Sequence, residues 1–216
     1  MSTDKILVIG ASGQVGKRLV KLLTSSGLSV RAMVRNAEQA PVLESMDAEV
    51  VVADLEGDFF HVLKGCNTVV FSAGSGGGTG AEKTLLVDAW GAAKAINHSV
   101  ERKVARFIMI SSRGADNPDH GPSSIKPYLV AKHIMDRYLE ASGLNFTILR
   151  PGMLTNEPGS GLVRLLRPID PQKQLISRDD VASTILYCIN NPHTVGKTYE
   201  LYKGTNKIED ALSGNV

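Results

Sequence analysis

Two stretches of the chain carry a tyrosine and a lysine four residues apart, Tyr128 with Lys132 and Tyr199 with Lys203. On a helix this spacing puts both side chains on one face, about 6 Å apart along the axis; on a strand it separates them by about 13 Å. Tyr128 opens a segment with helical patterning that runs to Ser142, whereas Tyr199 lies in an alternating stretch, Lys197 to Tyr202, that reads as a strand. Only the first pair can act together, and the second is expected to be structural. A neighbouring ammonium favours a phenolate, so Lys132 is expected to lower the pKa of Tyr128 and make it a usable proton donor and acceptor. Ser111 and Ser112 end the apolar run just before that helix. A serine hydroxyl there would hold a substrate oxygen while Tyr128 gives or takes its proton.

A second constellation points to a dinucleotide, whose nicotinamide would exchange a hydride with the substrate carbon and whose ribose Lys132 could also bind. The apolar run Ile6, Leu7, Val8, Ile9 meets Gly10, Ala11, Ser12, Gly13, Gln14, Val15 and Gly16, after which Leu19, Leu22 and Leu23 recur at helical spacing between Lys17, Arg18, Lys21 and Thr24. This reads as strand, glycine turn and helix, the context a dinucleotide fingerprint requires. Gly10 permits a sharp turn, Gly13 lets the backbone approach a pyrophosphate, and Gly16 lets the helix pack closely on the strand. The free N–H groups and positive dipole end of that helix, around Ser12, Gln14 and Val15, then face the anion.

About twenty residues beyond the glycines, the end of the second strand decides the adenosine ribose: an acid for a free 2′-hydroxyl, an arginine for a 2′-phosphate. Here it is Arg35, with no carboxylate in the Val34-Arg35-Asn36 turn. NADP is therefore expected in preference to NAD, with Lys17 or Arg18 adding charge. Asp54 and Leu55, after the third strand, are placed for the adenine, and Ser72, Ala73 and Gly74, after the fourth, for the ribose side.

The elements that position these groups alternate. Apolar strands are read at Ser29 to Val34, Glu49 to Ala53, Thr68 to Phe71, Arg106 to Ile110 and Asn145 to Leu149. Between the last three lie a long helix, Ala81 to Glu101, with Leu85, Leu86, Ala89, Ala92, Ala93 and Ile96 on its apolar side, and the helix from Tyr128. Such a pattern predicts an α/β fold: a Rossmann-like, doubly wound parallel sheet of order 3-2-1-4-5-6, with helices on both faces and ligands at the carboxyl ends of the strands. The 216 residues, 43% of them hydrophobic, suffice for one domain, residues 1–216, in which 153–216 supplies a small substrate-side extension. Ser177 and Asp180 resemble a helix-capping pair before Val181, Ile185, Leu186 and Ile189. Met153 to Lys173 has no clear period, and the tail from Gly204 is polar and expected to fray at its end.

A formal charge of +2 with no basic block argues against nucleic-acid or membrane-surface partners. Cys66 and Cys188 form no ligand pattern, and the five histidines show no metal spacing, so no metal is expected. With no apolar run of membrane-spanning length and no secretory signal, a soluble, cytoplasmic protein is expected, as monomer or homodimer, with Trp90 on the long helix suited to packing or a subunit contact.

Together Gly10, Gly13 and Gly16, Asp54, Ser72-Ala73-Gly74, Ser111-Ser112, Tyr128 with Lys132, and Arg150-Pro151-Gly152 resemble the short-chain dehydrogenase/reductase superfamily, specifically its atypical branch related to the NAD-dependent epimerase/dehydratases. The resemblance covers nearly the whole chain. It implies an NADP-dependent oxidoreductase or epimerase acting on a small carbonyl or hydroxyl substrate, with Ser112, Tyr128 and Lys132 catalytic. Ser112 is preferred over Ser111 because the family's serine usually stands second in such a pair. It also implies that Pro151 and Gly152 pack by the nicotinamide. Extended members carry a larger C-terminal lobe, which argues against a bulky nucleotide-sugar here. Some atypical members have lost the tyrosine and act as cofactor sensors, the alternative reading for this chain.

Overall fold

The apolar runs meet edge to edge in one sheet, seen in a computed structural model that describes residues 5–214. Its parallel part comprises β1 (Lys5–Ile9), β2 (Ser29–Val34), β3 (Glu49–Val52), β4 (Cys66–Phe71), β5 (Arg106–Ile110) and β6 (Phe146–Pro151), in the order β3-β2-β1-β4-β5-β6. That is the doubly wound order the alternation predicts. Two short strands follow, β7 (Met153–Thr155) and β8 (Leu162–Arg164), and then β9 (Leu175–Ser177) and β10 (Lys197–Lys203). β10 extends the sheet parallel to β6, with Lys197 beside Thr147 and Leu201 beside Pro151. Antiparallel β8 and β11 (Asn206–Lys207) complete that edge, and β7 pairs with β9 in a small separate sheet.

Strand alternation sends Ile6 and Val8 to one face and Leu7 and Ile9 to the other, and both faces are covered. On the first, Leu19 and Leu23 of α1 (Gln14–Ser25) pack with Val181 and Ile185 of α6 (Arg178–Asn190). On the second, Ile96 of α4 (Ala92–Glu101) packs with Met135 and Leu139 of α5 (Lys126–Glu140) and with Phe59 and Phe71. Each fully buried leucine contributes about 1.5–3 kcal/mol of transfer free energy, so these layers fix where every strand end lies. Between β2 and β3 the chain forms only a short helix, α2 (Ala40–Glu44). Among the described residues no helix is long and apolar enough to cross a membrane.

The long helix departs from the sequence reading. It begins as α3 (Ala81–Lys83), becomes π-helical over Thr84–Gly91, and resumes as α4. A π turn accommodates one more residue than an α turn and shifts the register of what precedes it. Leu85 and Leu86, expected on the apolar side, are instead 65% and 37% exposed, while Asp88 is fully buried. Trp90 also points outward.

From Gly204 the chain forms β11 and then α7 (Ile208–Ser213), which buries Ala211 and Leu212 against the layer containing α6. The fraying expected at the end of the tail falls on the last two residues, which lie outside the described ones. The Ser177–Asp180 cap is present: Ser177 Oγ accepts from Asp180 N at 2.9 Å. Asp180 has a further task that its capping role does not announce, since its carboxylate also accepts from Ser160 N and Gly161 N at 3.2 and 2.7 Å. The aperiodic stretch after β7 is thereby tied to α6.

Candidate active site

Two continuous clefts open at the carboxyl ends of the strands. The first, of about 230 Å³, is lined by Gly10, Ser12, Gly13, Arg35, Asp54 and Leu55 and, from the end of β4, by Ser72, Ala73 and Gly74. Gly10 has φ of 84°, and a Cβ there would lie 2.6 Å from Ala73 N; a Cβ on Gly16 would lie 2.3 Å from Gly10 O. These two glycines let the turn, β4 and α1 come together. Gly13 is different: a Cβ would meet only Gly10 O, at 3.2 Å, so its bare backbone leaves space above the turn. No side chain caps α1, and its first turn holds no acid. The N–H groups of Gln14, Val15 and Gly16 are thus available to an anion, and the cradle fits a dinucleotide pyrophosphate.

At the far end of this cleft Gln39 Oε1 accepts from Arg35 N and Asn36 N at 3.2 and 3.3 Å. The turn is fixed by its backbone, and the exposed Arg35 side chain has no acidic partner among the described residues. Asp54 Oδ1 accepts from Glu56 N at 3.0 Å, and Ser72 Oγ donates to Ile9 O at 2.9 Å, joining the ends of β4 and β1. Of the two residues expected to add charge for a phosphate, Arg18 is engaged elsewhere, its Nε paired with Asp179 at 2.8 Å and its Nη1 donating to Gln14 O, which leaves Lys17. The close packing of α1 on α6 claims Arg18.

The second cleft, of about 240 Å³, shares Ser72, Ala73 and Gly74 with the first and adds Val15, Ser111, Ser112, Tyr128, Lys132, Pro151, Gly152 and Leu154. Helix α5 puts Tyr128 and Lys132 on one face as the spacing requires, with Lys132 Nζ 5.5 Å from the centre of the Tyr128 ring. Tyr128 is half-buried and its Oη has no hydrogen-bond partner among the described residues. Ser112 is half-buried, and its Oγ donates to Arg113 O at 3.1 Å. Ser111 is buried, with no well-aligned partner for its Oγ. A Cβ on Gly152 would lie 2.5 Å from Gln174 O and 2.7 Å from the Tyr202 ring, so only glycine lets the segment before β9 lie against the end of β6.

Behind Tyr128 lies a layer of buried charge that sequence reasoning missed. Lys132 is 3% exposed, with its Nζ 3.2 Å from Asp88 Oδ1 and 3.4 Å from Ile110 O. The Asp88 contact is off the hydrogen-bonding directions and acts as an ion pair, while the other Asp88 oxygen accepts from Ser75 N at 3.0 Å. Burial works against the Lys132 ammonium, but Tyr128, Asp88 and Asp136 outweigh it and hold its pKa above the ordinary lysine value. Asp136, one turn after Lys132, is fully buried and accepts from Arg150 Nε at 2.8 Å. Burial pushes its carboxyl up, against the pull of Ser111, Arg150 and Lys132. Arg150 of the Arg-Pro-Gly motif is therefore spent on Asp136. The signals were legible in principle: a lone aspartate in the otherwise apolar run Leu85 to Trp90, and a carboxylate four residues after the lysine.

The second Tyr-x-x-x-Lys pair is separated, as its strand placement requires. Tyr199 Oη donates to Leu212 O at 3.4 Å, and Lys203 pairs with Glu157 at 3.1 Å. Cys66 and Cys188 are free and buried. Among the described residues no group of three or more His, Cys, Asp or Glu side chains is arranged to hold a metal.

Residues 10–192 match a family described as NAD(P)H-binding. The uncharacterized sugar epimerase YhfK of Bacillus subtilis (strain 168) is 47% identical over 212 residues, covering 96% of this chain and 98% of that one. A Bacillus halodurans structure described as a candidate NAD-dependent epimerase/dehydratase has a TM-score of 0.92 at 43% identity, covering 97% of this chain and 99% of its own. The oxidoreductase ylbE from Lactococcus lactis follows at a TM-score of 0.84 and 30% identity, covering 97% and 95%. With the glycine cradle and the Ser-Tyr-Lys cleft in place at the strand ends, the chain belongs to the NAD(P)H-binding, epimerase/dehydratase-like branch of the Rossmann-fold oxidoreductases.

Proposed function

We propose that this protein is an NADP-dependent oxidoreductase or epimerase acting on a small carbonyl or hydroxyl substrate. The observation that carries the reading is Tyr128: a phenol with an unpartnered Oη, beside a buried lysine, in a cleft continuous with the dinucleotide cradle. Gly10, Ser12, Gly13, Gln14, Val15 and Gly16 would hold the pyrophosphate, Asp54 and Leu55 the adenine, and Ser72, Ala73 and Gly74 the ribose side. Pro151 and Gly152, with Ser111 at the end of β5, would border the nicotinamide. A bound nicotinamide supplies or accepts the hydride.

The chain's own groups manage the proton. Tyr128 Oη gives a proton to the substrate oxygen in reduction and takes it back in oxidation, while Ser112 Oγ holds that oxygen in place. Lys132 stays charged, since its partners hold its pKa up, and so favours negative charge on the developing alkoxide. Asp88 keeps the ammonium in position between the loop at Ser75 and the phenol.

NADP is preferred on the strength of Arg35, an exposed guanidinium at the end of β2 with no competing acid among the described residues. Fluorescence titration should show NADPH binding more tightly than NADH. Arg35→Ala should cost roughly tenfold or more in NADPH affinity, the value of charge-assisted hydrogen bonds to a phosphate, with little effect on NADH. Tighter NADH binding to the wild type would overturn the NADP assignment. The same protein is then screened against small aldehydes, ketones and alcohols. Tight dinucleotide binding without turnover on any of them would replace the enzyme with a cofactor sensor.

A further inference from the structure

We infer that Arg113 selects a substrate that carries a carboxylate or phosphate near its reacting carbon, with the guanidinium docking that anion at the mouth of the reactive cleft. The inference rests on the redox reading above and narrows its substrate class.

Arg113 follows Ser112 in the chain and is held from two sides. Its backbone N donates to Pro151 O at 3.0 Å, and its Nη1 donates to Gln174 Oε1. Gln174 is itself fixed: its Nε2 donates to Pro168 O at 2.8 Å, and its carbonyl accepts from Met153 N at 2.8 Å. That carbonyl is the atom a Cβ on Gly152 would strike. The guanidinium is therefore pinned to the segment that lies against Gly152, and the Arg113 backbone to Pro151, two residues that line the reactive cleft.

Its partner is neutral. A guanidinium carries five N–H donors in a rigid fork, and the amide oxygen of Gln174 takes one of them. No carboxylate pairs with Arg113 among the described residues. Two neighbouring arginines at this end of the sheet are neutralised: Arg167 by Asp116 and Glu200 at 2.6 and 2.8 Å, Arg150 by Asp136. A half-buried guanidinium without a counter-ion has lost hydration that the one amide oxygen of Gln174 repays only in part. A planar anion accepting two parallel hydrogen bonds repays it. Because Arg113 is adjacent to Ser112, which would hold the reacting oxygen, the anion belongs close to the reacting carbon and not on a distant nucleotide.

The test uses matched probes: benzoylformate against its methyl ester for a carboxylate, and dihydroxyacetone phosphate against dihydroxyacetone for a phosphate. Binding is measured by calorimetry on the full chain, with and without NADP⁺, so the result stands whatever the turnover assay gives. The wild type should bind at least one anion about tenfold or more tightly than its neutral counterpart, the worth of charge-assisted hydrogen bonds. Arg113→Gln should erase that difference while leaving NADPH affinity and melting temperature unchanged. Arg113→Lys, which keeps the charge and loses the fork, should fall between. The pair that shows the preference identifies the anion. Absence of discrimination in both pairs, or a preference that survives in Arg113→Gln, overturns the inference. Reduction of neutral ketones without anion preference would refute the role of Arg113 and leave the redox reading standing; failure to bind NADPH would strike the redox reading alone.

Discussion

Tyr128→Phe is expected to lower kcat by about 10²–10⁴-fold, the usual contribution of a positioned general acid–base group, while NADPH affinity stays close to the wild-type value. The prediction is this clean because of what the hydroxyl does not do. Tyr128 Oη makes no hydrogen bond that holds the fold together, so its removal leaves no buried donor or acceptor unpaired. Phenylalanine keeps the ring 5.5 Å from the Lys132 ammonium, and with it the contact that orients both side chains at the start of α5. Steady-state kinetics and a fluorescence titration on the same preparation separate the two effects. Parallel loss of turnover and NADPH binding would mean that Tyr128 serves the cofactor site and not the proton transfer.

The second large effect concerns stability. Lys132→Met should destabilise the fold by about 3–5 kcal/mol, the cost of leaving a buried charge without its partner. Asp88 is fully buried, and in that variant its carboxylate would keep only the Ser75 N–H. If this account is right, the damage is electrostatic and a second change can undo part of it. Asp88→Asn on the Lys132→Met background should recover stability, with a coupling of about 0.5–3 kcal/mol in the double-mutant cycle. Urea denaturation of the four proteins supplies the numbers, and strict additivity would show that the two residues do not act as a pair. The sign with pH is also fixed. The folded pKa of Lys132 is raised, so its contribution is fully present below the unfolded lysine pKa, near 10.4, and fades only as pH climbs through the folded value. The penalty of Lys132→Met should therefore be flat across the neutral range and shrink only in strong alkali.

Much of this was legible in the sequence because its signals were local. The strand-turn-helix at Gly10 to Gly16 depends on residues within one turn of each other, and so does the Tyr128 and Lys132 face; both form as read. The doubly wound order followed from a chirality rule that needs only the alternation of elements. What escaped depends on partners far along the chain. Arg18 sits on the polar face of α1, yet α6 brings Asp179 to it. The tail is polar overall, but Ala211 and Leu212 suffice to hold α7 once β8 and α6 have made a surface for them. Leu85 and Leu86 were misplaced because helical periodicity assumes one fixed pitch, and over Thr84–Gly91 the pitch changes; Asp88, four residues before the buried Ala92, was missed because only the apolar residues of that face were followed.

That change of pitch makes length itself a constraint. A surface loop such as Gly76 to Gly80 could lose a residue and merely become shorter. One residue deleted between Ala81 and Asp88 would leave the composition of the helix almost intact and let it close as a plain α-helix. It would also draw everything before the deletion closer to α4, because the wide turn no longer takes up its extra residue. Either Asp88 or the loop it anchors at Ser75 would then sit out of place. At this point the protein tolerates a change of letter more readily than a change of count.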